Sequence, residues 1–342
     1  MRIKHIECEV INIPLKTPFI TALRRVESVA FVRVIIRSDD WSFGIGEAPA
    51  TQAITGEDIP IILNSIESVK DMFLGSTPKE AVKLLHTGCR MGSSAKAALD
   101  MAFVTLMAKA EDKELHEFLG TASPQTLYTD ITISLKESLV MFEDAKKAIE
   151  NGLHILKVKL GKDINHAIEV IQNIGSKLPQ AKIIVDANQA WSLEDSLIFI
   201  DGIKNVKIEL IEQPVIASDL DSLKTITDYS SIPILADEAV FTLTDVKKVI
   251  ESKSADMINI KLMKCGGITK AVEILEYCRE NNVKCMLGSM LEGPYSINAA
   301  LHLALAYTDV IKYIDLDSPL LYKEPSDELD FEFDGCAVQL II

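Results

Sequence analysis

Two lysines stand one residue apart in the apolar run from Leu153 to Asp163, LHILKVKLGKD. Alternate side chains of an extended strand share a face, so Lys157 and Lys159 project together with Ile155, while Leu156, Val158 and Leu160 project the other way. Three later apolar runs each end in a carboxylate: Asp186 in IIVDANQ, Glu212 in ELIEQP and Asp237 in ILADEA. They are 26 and 25 residues apart, and a further 24 residues lead to Lys261 in MINIKLMKCGG. Each interval has the length of one strand-helix unit, so adjacent strands would bring the acids to one rim. Three anions there repel one another and require a compensating cation. Oxygen donors without histidine or thiolate favour a hard ion, and three carboxylates with positions left for substrate suit Mg²⁺. Aspartates at strand ends can also cap the helices that follow, but Glu212, followed by Gln-Pro, is a poor cap.

Lysines flank the acids, with Lys157 and Lys159 one strand before Asp186 and Lys261 one strand after Asp237. In a closed barrel they lie on opposite sides, so a carboxylate substrate at the metal would meet an amine on each face. That geometry suits removal of a proton from the adjacent carbon and its return from the other side. A lysine with its reference pKa of about 10.4 is a poor base near neutrality. Lys157 and the metal are expected to lower the value for Lys159, and Lys157 also to help hold the oxyanion.

The elements that must carry these residues are legible as a change of texture along the chain. Residues 1–11, 29–37 and 44–49 read as strands, with PLKTPFITALRRVES a long polar excursion suited to a lid. From about 57 to 119 the apolar spacing becomes helical, which predicts an α+β domain. After TASPQ come eight short apolar runs separated by helical segments: LYTDITIS, ILKVKL, KIIVDAN, KIELIEQP, IPILADE, DMINIKL, VKCMLGS and VIKYIDLD. This predicts an α/β fold with a parallel eight-stranded barrel, and a tail, ELDFEFDGCAVQL, returning to the first domain. The expected division is a capping domain at 1–122 with a lid at 15–28, a barrel at 123–318 and a tail at 319–342. GIGEAP at Gly44 lacks the third glycine and the helix of a dinucleotide-binding turn.

Composition narrows the function classes. The 342 residues are 48% hydrophobic and carry a net charge of -15, which opposes binding to nucleic acid or anionic membranes. A small-molecule substrate is expected. No window approaches the roughly 20 apolar residues of a membrane span, and the start alternates like a strand, so a cytoplasmic location is expected. The six cysteines form no C-x-x-C pair and the six histidines no zinc-hydrolase spacing. Reduced thiols and a homo-oligomer are expected.

The K-V-K pair, Asp186, Glu212, Asp237-Glu238 and Lys261 before Cys-Gly-Gly, together with the α+β cap, resemble the enolase superfamily in its muconate-lactonizing-enzyme subgroup. The resemblance spans nearly the whole chain. It implies a modified (β/α)7β barrel, one Mg²⁺ per subunit on Asp186, Glu212 and Asp237, and Lys159 and Lys261 as the acid/base pair. Mandelate racemase-like members carry a histidine at the end of the seventh strand, and VKCMLGSMLEG has none. The eighth strand ends YIDLDSPLL, and its Asp315 and Asp317 resemble the dipeptide epimerase motif that holds a substrate's α-ammonium. Two carboxylates attract an ammonium and repel a dicarboxylate. In the lid, Arg24 resembles the arginine that meets a substrate glutamate in Ala-Glu epimerases, with Arg25 adjacent. Thr132 and Ser134 after the first barrel strand, and Met290 and Glu292 after the seventh, are expected to line the substrate site.

The resemblance thus implies an isomerase: a Mg²⁺-dependent dipeptide epimerase interconverting L-Ala-L-Glu and L-Ala-D-Glu, a dipeptide of peptidoglycan turnover. Within the superfamily, N-acylamino acid racemase and o-succinylbenzoate synthase are the alternatives, and Asp315 and Asp317 speak against both. A metal-free Schiff-base lyase and a non-catalytic small-molecule binder remain readings from other classes.

Overall fold

The computed structural model describes residues 1–22, 24–120 and 125–341. The expected division between residues 122 and 123 lies outside the described residues. β1 (Ile3–Ile20) and β2 (Arg25–Ser38) form a long antiparallel hairpin, and β3 (Phe43–Pro49) pairs with the other edge of β2. The expected polar excursion is therefore mostly strand. Pairing breaks between Pro14 and Phe19, then resumes with Phe19 opposite Val26 and Ile20 opposite Arg25. Pro14 and Pro18 fall in this stretch, and prolines lack the N–H a ladder needs, which is why the run does not read as strand.

Helices Ile59–Val69, Pro78–Gly88 and Ser93–Ala110 cover one face of this sheet. The second begins with a reciprocal Thr77–Glu80 cap. Gly46 permits the closest approach: a Cβ there would stand 1.9 Å from the carbonyl oxygen of Ala98 in the third helix.

The short β4 (Leu127–Tyr128) precedes the barrel strands β5 (Ile131–Ile133), β6 (Ile155–Lys159), β7 (Lys182–Asp186), β8 (Ile208–Glu212), β9 (Ile234–Ala236), β10 (Met257–Ile260), β11 (Lys284–Gly288) and β12 (Ile311–Asp315). They lie in sequence order, all parallel, with a helix after each of the first seven. A Thr129–Ile314 bridge draws β12 toward the start of the first strand, nearly closing the barrel. Both faces of these strands are buried, one under the helices and one in the packed interior, which explains their continuous apolar runs.

β13 (Phe331–Asp334) and β14 (Ala337–Leu340) form a C-terminal hairpin. In ELDFEFDGCAVQL, β14 pairs with β4, and Glu328 at its start pairs with Arg33 of the capping sheet. Cys336 joins Ile155, Ile184, Leu210, Leu235, Met257 and Met286 to fill the end of the barrel where the strands begin. The tail also touches the capping strands earlier, through the Leu15–Tyr322 bridge.

Cap and barrel are joined beside a lysine strand. Buried Asp100, in the long capping helix, accepts from the Thr269 N–H at 2.9 Å and contacts His86 Nε2 at 2.8 Å. Thr269 lies in the first turn of the helix Ile268–Glu280, so a capping-domain residue supplies that helix with an N-terminal acceptor. All six cysteines are free thiols. Among the described residues no helix is long and apolar enough to cross a membrane.

Candidate active site

The parallel register sets the chemistry at one rim. Lys159 pairs with Asp186, and Asp186 with Glu212, at the ends of β6, β7 and β8. Asp237 and Lys261 directly follow β9 and β10, and Asp315 ends β12. All six are at least nine-tenths buried. Lys159, Asp237, Glu238, Lys261, Asp315 and Asp317 line one cavity of about 570 Å³ including its open mouth, with Phe19, Arg24 and Ile54 contributed by the capping domain. Since β6 and β10 are half a turn apart in an eight-stranded barrel, Lys159 and Lys261 reach the cavity from opposite walls.

The lysines are distributed over the acids. Lys159 Nζ lies 2.5 Å from Asp186 Oδ2, and Lys261 Nζ 2.8 Å from Asp237 Oδ2. Lys264, fully enclosed, bonds the other Asp237 oxygen and donates to the Asp237 carbonyl at 2.6 Å and the Asn259 carbonyl at 3.0 Å. Burial opposes ionisation of Asp237, but Lys261 and Lys264 hold its carboxyl far below the usual range. Burial likewise works against charge on Lys261, and Asp237 outweighs it, raising the lysine above its ordinary value.

Lys157 sits deeper than Lys159 and Lys261. It is wholly buried, 2.6 Å from Asp315, 2.7 Å from Glu212 and 3.4 Å from Asp186, and it does not line the cavity. Despite burial, Asp315, Glu212 and Asp186 raise its pKa well above the lysine value, making it a fixed cation beneath the site. It ties β12 to β7 and β8.

The strand-end loops depend on amides that the sequence reading passed over. Asn259 Nδ2 donates to Glu212 Oε1 at 2.8 Å. Asn188 donates its backbone N–H to Asp186 Oδ1 at 2.9 Å and its amide to Glu238 Oε1 at 3.3 Å. Gln213 sits at a positive φ of 36°, a strained value for a non-glycine residue. Its Oε1 accepts from the N–H groups of Asp237 and Ala239, at 2.9 and 3.1 Å, locking one acid-bearing loop to the next. The residues after each acid in DANQ and EQP were the available signal.

Of the other expected site residues, Thr132, Met290, Asp315 and Asp317 line the cavity, and Ser134 and Glu292 do not. Ser134 Oγ accepts from Ile20 N–H at 3.2 Å, and Leu135 N–H donates to the Ile20 carbonyl at 3.0 Å, so this segment docks the lid strand. Glu292 turns inward, accepting from Met290 N–H at 2.7 Å and from Ser296 Oγ, and braces the loop after β11. Asp317 Oδ2 accepts from Thr132 N–H at 2.7 Å; burial and neighbouring Asp315 push its pKa up to about 6. Arg24 lines the cavity, and its guanidinium has no ion-pair partner among the described residues; burial lowers its pKa. Arg25 points away, exposed and 3.2 Å from Glu27.

The donor set bears on a bound cation. Seven buried acids, Asp130, Asp186, Glu212, Asp237, Glu238, Asp315 and Asp317, face four buried lysines, 157, 159, 261 and 264. Burial and the nearby charge of Asp186 push Glu212 to about 7, and burial with Asp237 pushes Glu238 to about 8. This surplus of negative charge on oxygen donors suits a hard divalent ion. Asp186, Glu212 and Asp237 are held by lysines, however, and do not close to within a shared ion's span. Among the described residues, the acids whose oxygens lie within 4.8 Å of one another are Asp130, Asp315 and Asp317.

With the fold and the rim in place, comparison with known proteins defines the class. Residues 5–120 match the family described as mandelate racemase/muconate lactonizing enzyme, N-terminal domain, and residues 140–340 match the Enolase C-terminal domain-like family. The chain belongs to the mandelate racemase/muconate lactonizing enzyme family of the enolase superfamily. More particularly, it is 60% identical over 339 residues to the L-amino acid-D/L-Glu epimerase of Sulfurimonas denitrificans, covering 99% of each chain. It is 39% identical to the L-Ala-D/L-Glu epimerase of Bacillus subtilis, over 94% of this chain and 90% of the relative. The substrate-liganded structure of the Bacillus subtilis enzyme superposes with a TM-score of 0.94 at 37% identity, covering 100% of this chain and 97% of that one. The dipeptide epimerase of Enterococcus faecalis, complexed with Mg and L-Leu-L-Tyr, gives 0.93 at 32% identity, covering 99% and 97%.

Proposed function

We propose that this chain is a Mg²⁺-dependent dipeptide epimerase that inverts the Cα of a C-terminal glutamate, interconverting L-Ala-L-Glu and L-Ala-D-Glu. The observation that carries the reading is that one cavity holds Asp315 and Asp317, Lys159 and Lys261 on opposite walls, and Arg24, which has no ion-pair partner among the described residues. Asp315 and Asp317 take the free α-ammonium, which an N-acyl group lacks. Arg24 takes the side-chain carboxylate of glutamate, and its enclosure strengthens that attraction.

Asp186, Glu212 and Asp237 would hold one Mg²⁺ per subunit. An ion held there would supply positive charge to the substrate's α-carboxylate. Lys159 and Lys261 then face the two sides of the substrate Cα. One removes the Cα proton, leaving the electron pair on the substrate's carboxylate system, and the other delivers a proton to the opposite face. Lys157, fixed in place by three carboxylates, keeps positive potential under the reacting centre throughout. We place the enzyme in the cytoplasm, in the turnover of peptidoglycan-derived dipeptides.

The test is incubation with Mg²⁺ and a dipeptide library in deuterated water, read by mass spectrometry. Ala-Glu should gain one deuteron and yield both epimers. Exchange confined to hydrophobic or cationic dipeptides would reject the substrate assignment.

A further inference from the structure

Asp130 has no role in the chemistry above, although it lies at the seam where the barrel closes. It precedes β5, and its N–H donates to the Ile314 carbonyl at 3.3 Å. Its side chain is 0% exposed, and neither carboxyl oxygen has a hydrogen-bond partner. No cation lies within ion-pair distance of it among the described residues. Its nearest charged neighbours are like charges, with Lys157 farther off: one oxygen each of Asp130, Asp315 and Asp317 lie within 4.8 Å of one another.

The two neighbours are provided for and Asp130 is not. Asp315 has the Lys157 ammonium at 2.6 Å, and Asp317 has the Thr132 N–H at 2.7 Å. Lys157 attracts Asp130 only from beyond ion-pair distance, so the buried carboxyl relieves the repulsion of its two nearer carboxylates by binding a proton, and a protonated carboxyl is a donor where a carboxylate is not.

Building on the ammonium-binding role assigned to Asp315 and Asp317, we infer that Asp130 is a neutral acid that shares its proton with Asp315 and so positions that pair to receive the substrate's ammonium. Burial, followed by the charge of Asp315, raises the Asp130 pKa well above the carboxylate range, in keeping with the geometry. With Asp130 neutral, the local charge of Asp315, Asp317 and Lys157 comes to one negative unit, which one ammonium matches. An ionised Asp130 would add a second negative charge and loosen Asp315 from Lys157. Asp130 touches no substrate and acts through its two neighbours, which makes it a positioning residue.

Asp130→Ala and Asp130→Asn separate these roles in the Mg²⁺-loaded enzyme with L-Ala-L-Glu. D130A should raise KM about tenfold or more while kcat stays within about threefold, because the ammonium site loses its buried donor. D130N keeps a donor of the same shape and should restore most of that loss. Infrared difference spectra of wild type against D130N should show loss of a protonated-carboxyl stretch. An unchanged KM in D130A, a D130N variant as impaired as D130A, or loss of carboxylate bands alone would each overturn the inference. The D130N spectrum decides it even if D130A does not fold. D317N separates the underlying reading: an unchanged KM there removes the ammonium site and the positioning role with it, whereas a raised KM alongside an unaffected D130A removes only the part given to Asp130.

Discussion

Gly288 leaves the space that Lys261 occupies: a Cβ on Gly288 would stand 3.0 Å from Lys261 Cε and 2.7 Å from Asn259 Oδ1. The end of β11 is therefore bare where the Lys261 side chain, just after β10, passes. Asn259 in turn holds Glu212, so crowding at Gly288 reaches an acid as well as a lysine. The variant Gly288→Ala should lower kcat about 10- to 100-fold with little change in KM, the size of effect expected for a misplaced reacting group. Steady-state kinetics check this, and an unchanged kcat would mean Lys261 needs no such clearance.

Arg24 and Arg25 are adjacent in sequence and opposite in environment. Arg24→Ala should raise KM for Ala-Glu about 100-fold, as expected for a desolvated charge pair, and leave a hydrophobic dipeptide nearly unaffected. Arg25→Ala, which removes an exposed pair with Glu27, should change neither. Kinetics on both substrates make the comparison, and equal losses on both dipeptides in R24A would count against a role in reading the glutamate side chain.

How far the sequence reached follows from these particulars. The strand-end positions of Asp186, Glu212 and Lys261 repeat with the βα unit, so their register was legible without coordinates. The depth of Lys157 was not, because alternation assigns a face and not a distance from the cavity mouth. The orientation of Ser134 and Glu292 was hidden for a related reason: each sits in a rim segment, but backbone donors from Ile20 and Met290 turn their oxygens toward structure. The lid hairpin was hidden by Pro14 and Pro18. Asp130 gave no signal, since its meaning depends on β12 closing against the start of the barrel 185 residues later, as the Asp317 to Thr132 hydrogen bond records.

Asp317 gives the site a pH dependence. Burial and Asp315 place its pKa at about 6, so it is charged above that pH and becomes neutral as the pH falls through it. With Asp317 as part of the proposed ammonium site, attraction for the dipeptide's ammonium would be present at neutrality and fade below about pH 6. KM for Ala-Glu should therefore rise on acidification through pH 6, and D317N should have a high KM that loses this step. A wild-type KM that stays flat from pH 7 to 5 would contradict the assignment.

The surplus of buried acid predicts that divalent cation stabilises the fold. Mg²⁺ should raise the thermal midpoint of the stripped protein in a concentration-dependent way, since a ligand held only by the native state shifts unfolding by mass action. Glu212→Gln removes one donor and should blunt that shift, and chelation should abolish epimerisation. Calorimetry with and without Mg²⁺ measures the effect; an identical midpoint in both would leave the acid rim without its ion.

Lys159 and Lys261 on opposite walls are the centre of the account, and isotope exchange in single variants tests them most directly. With Mg²⁺ in deuterated water, K159A and K261A should each lose epimerisation, and each should still exchange the Cα hydrogen of one epimer of Ala-Glu, a different epimer for each variant. Exchange of the same epimer by both variants, or epimerisation surviving in either, would contradict two bases facing one carbon.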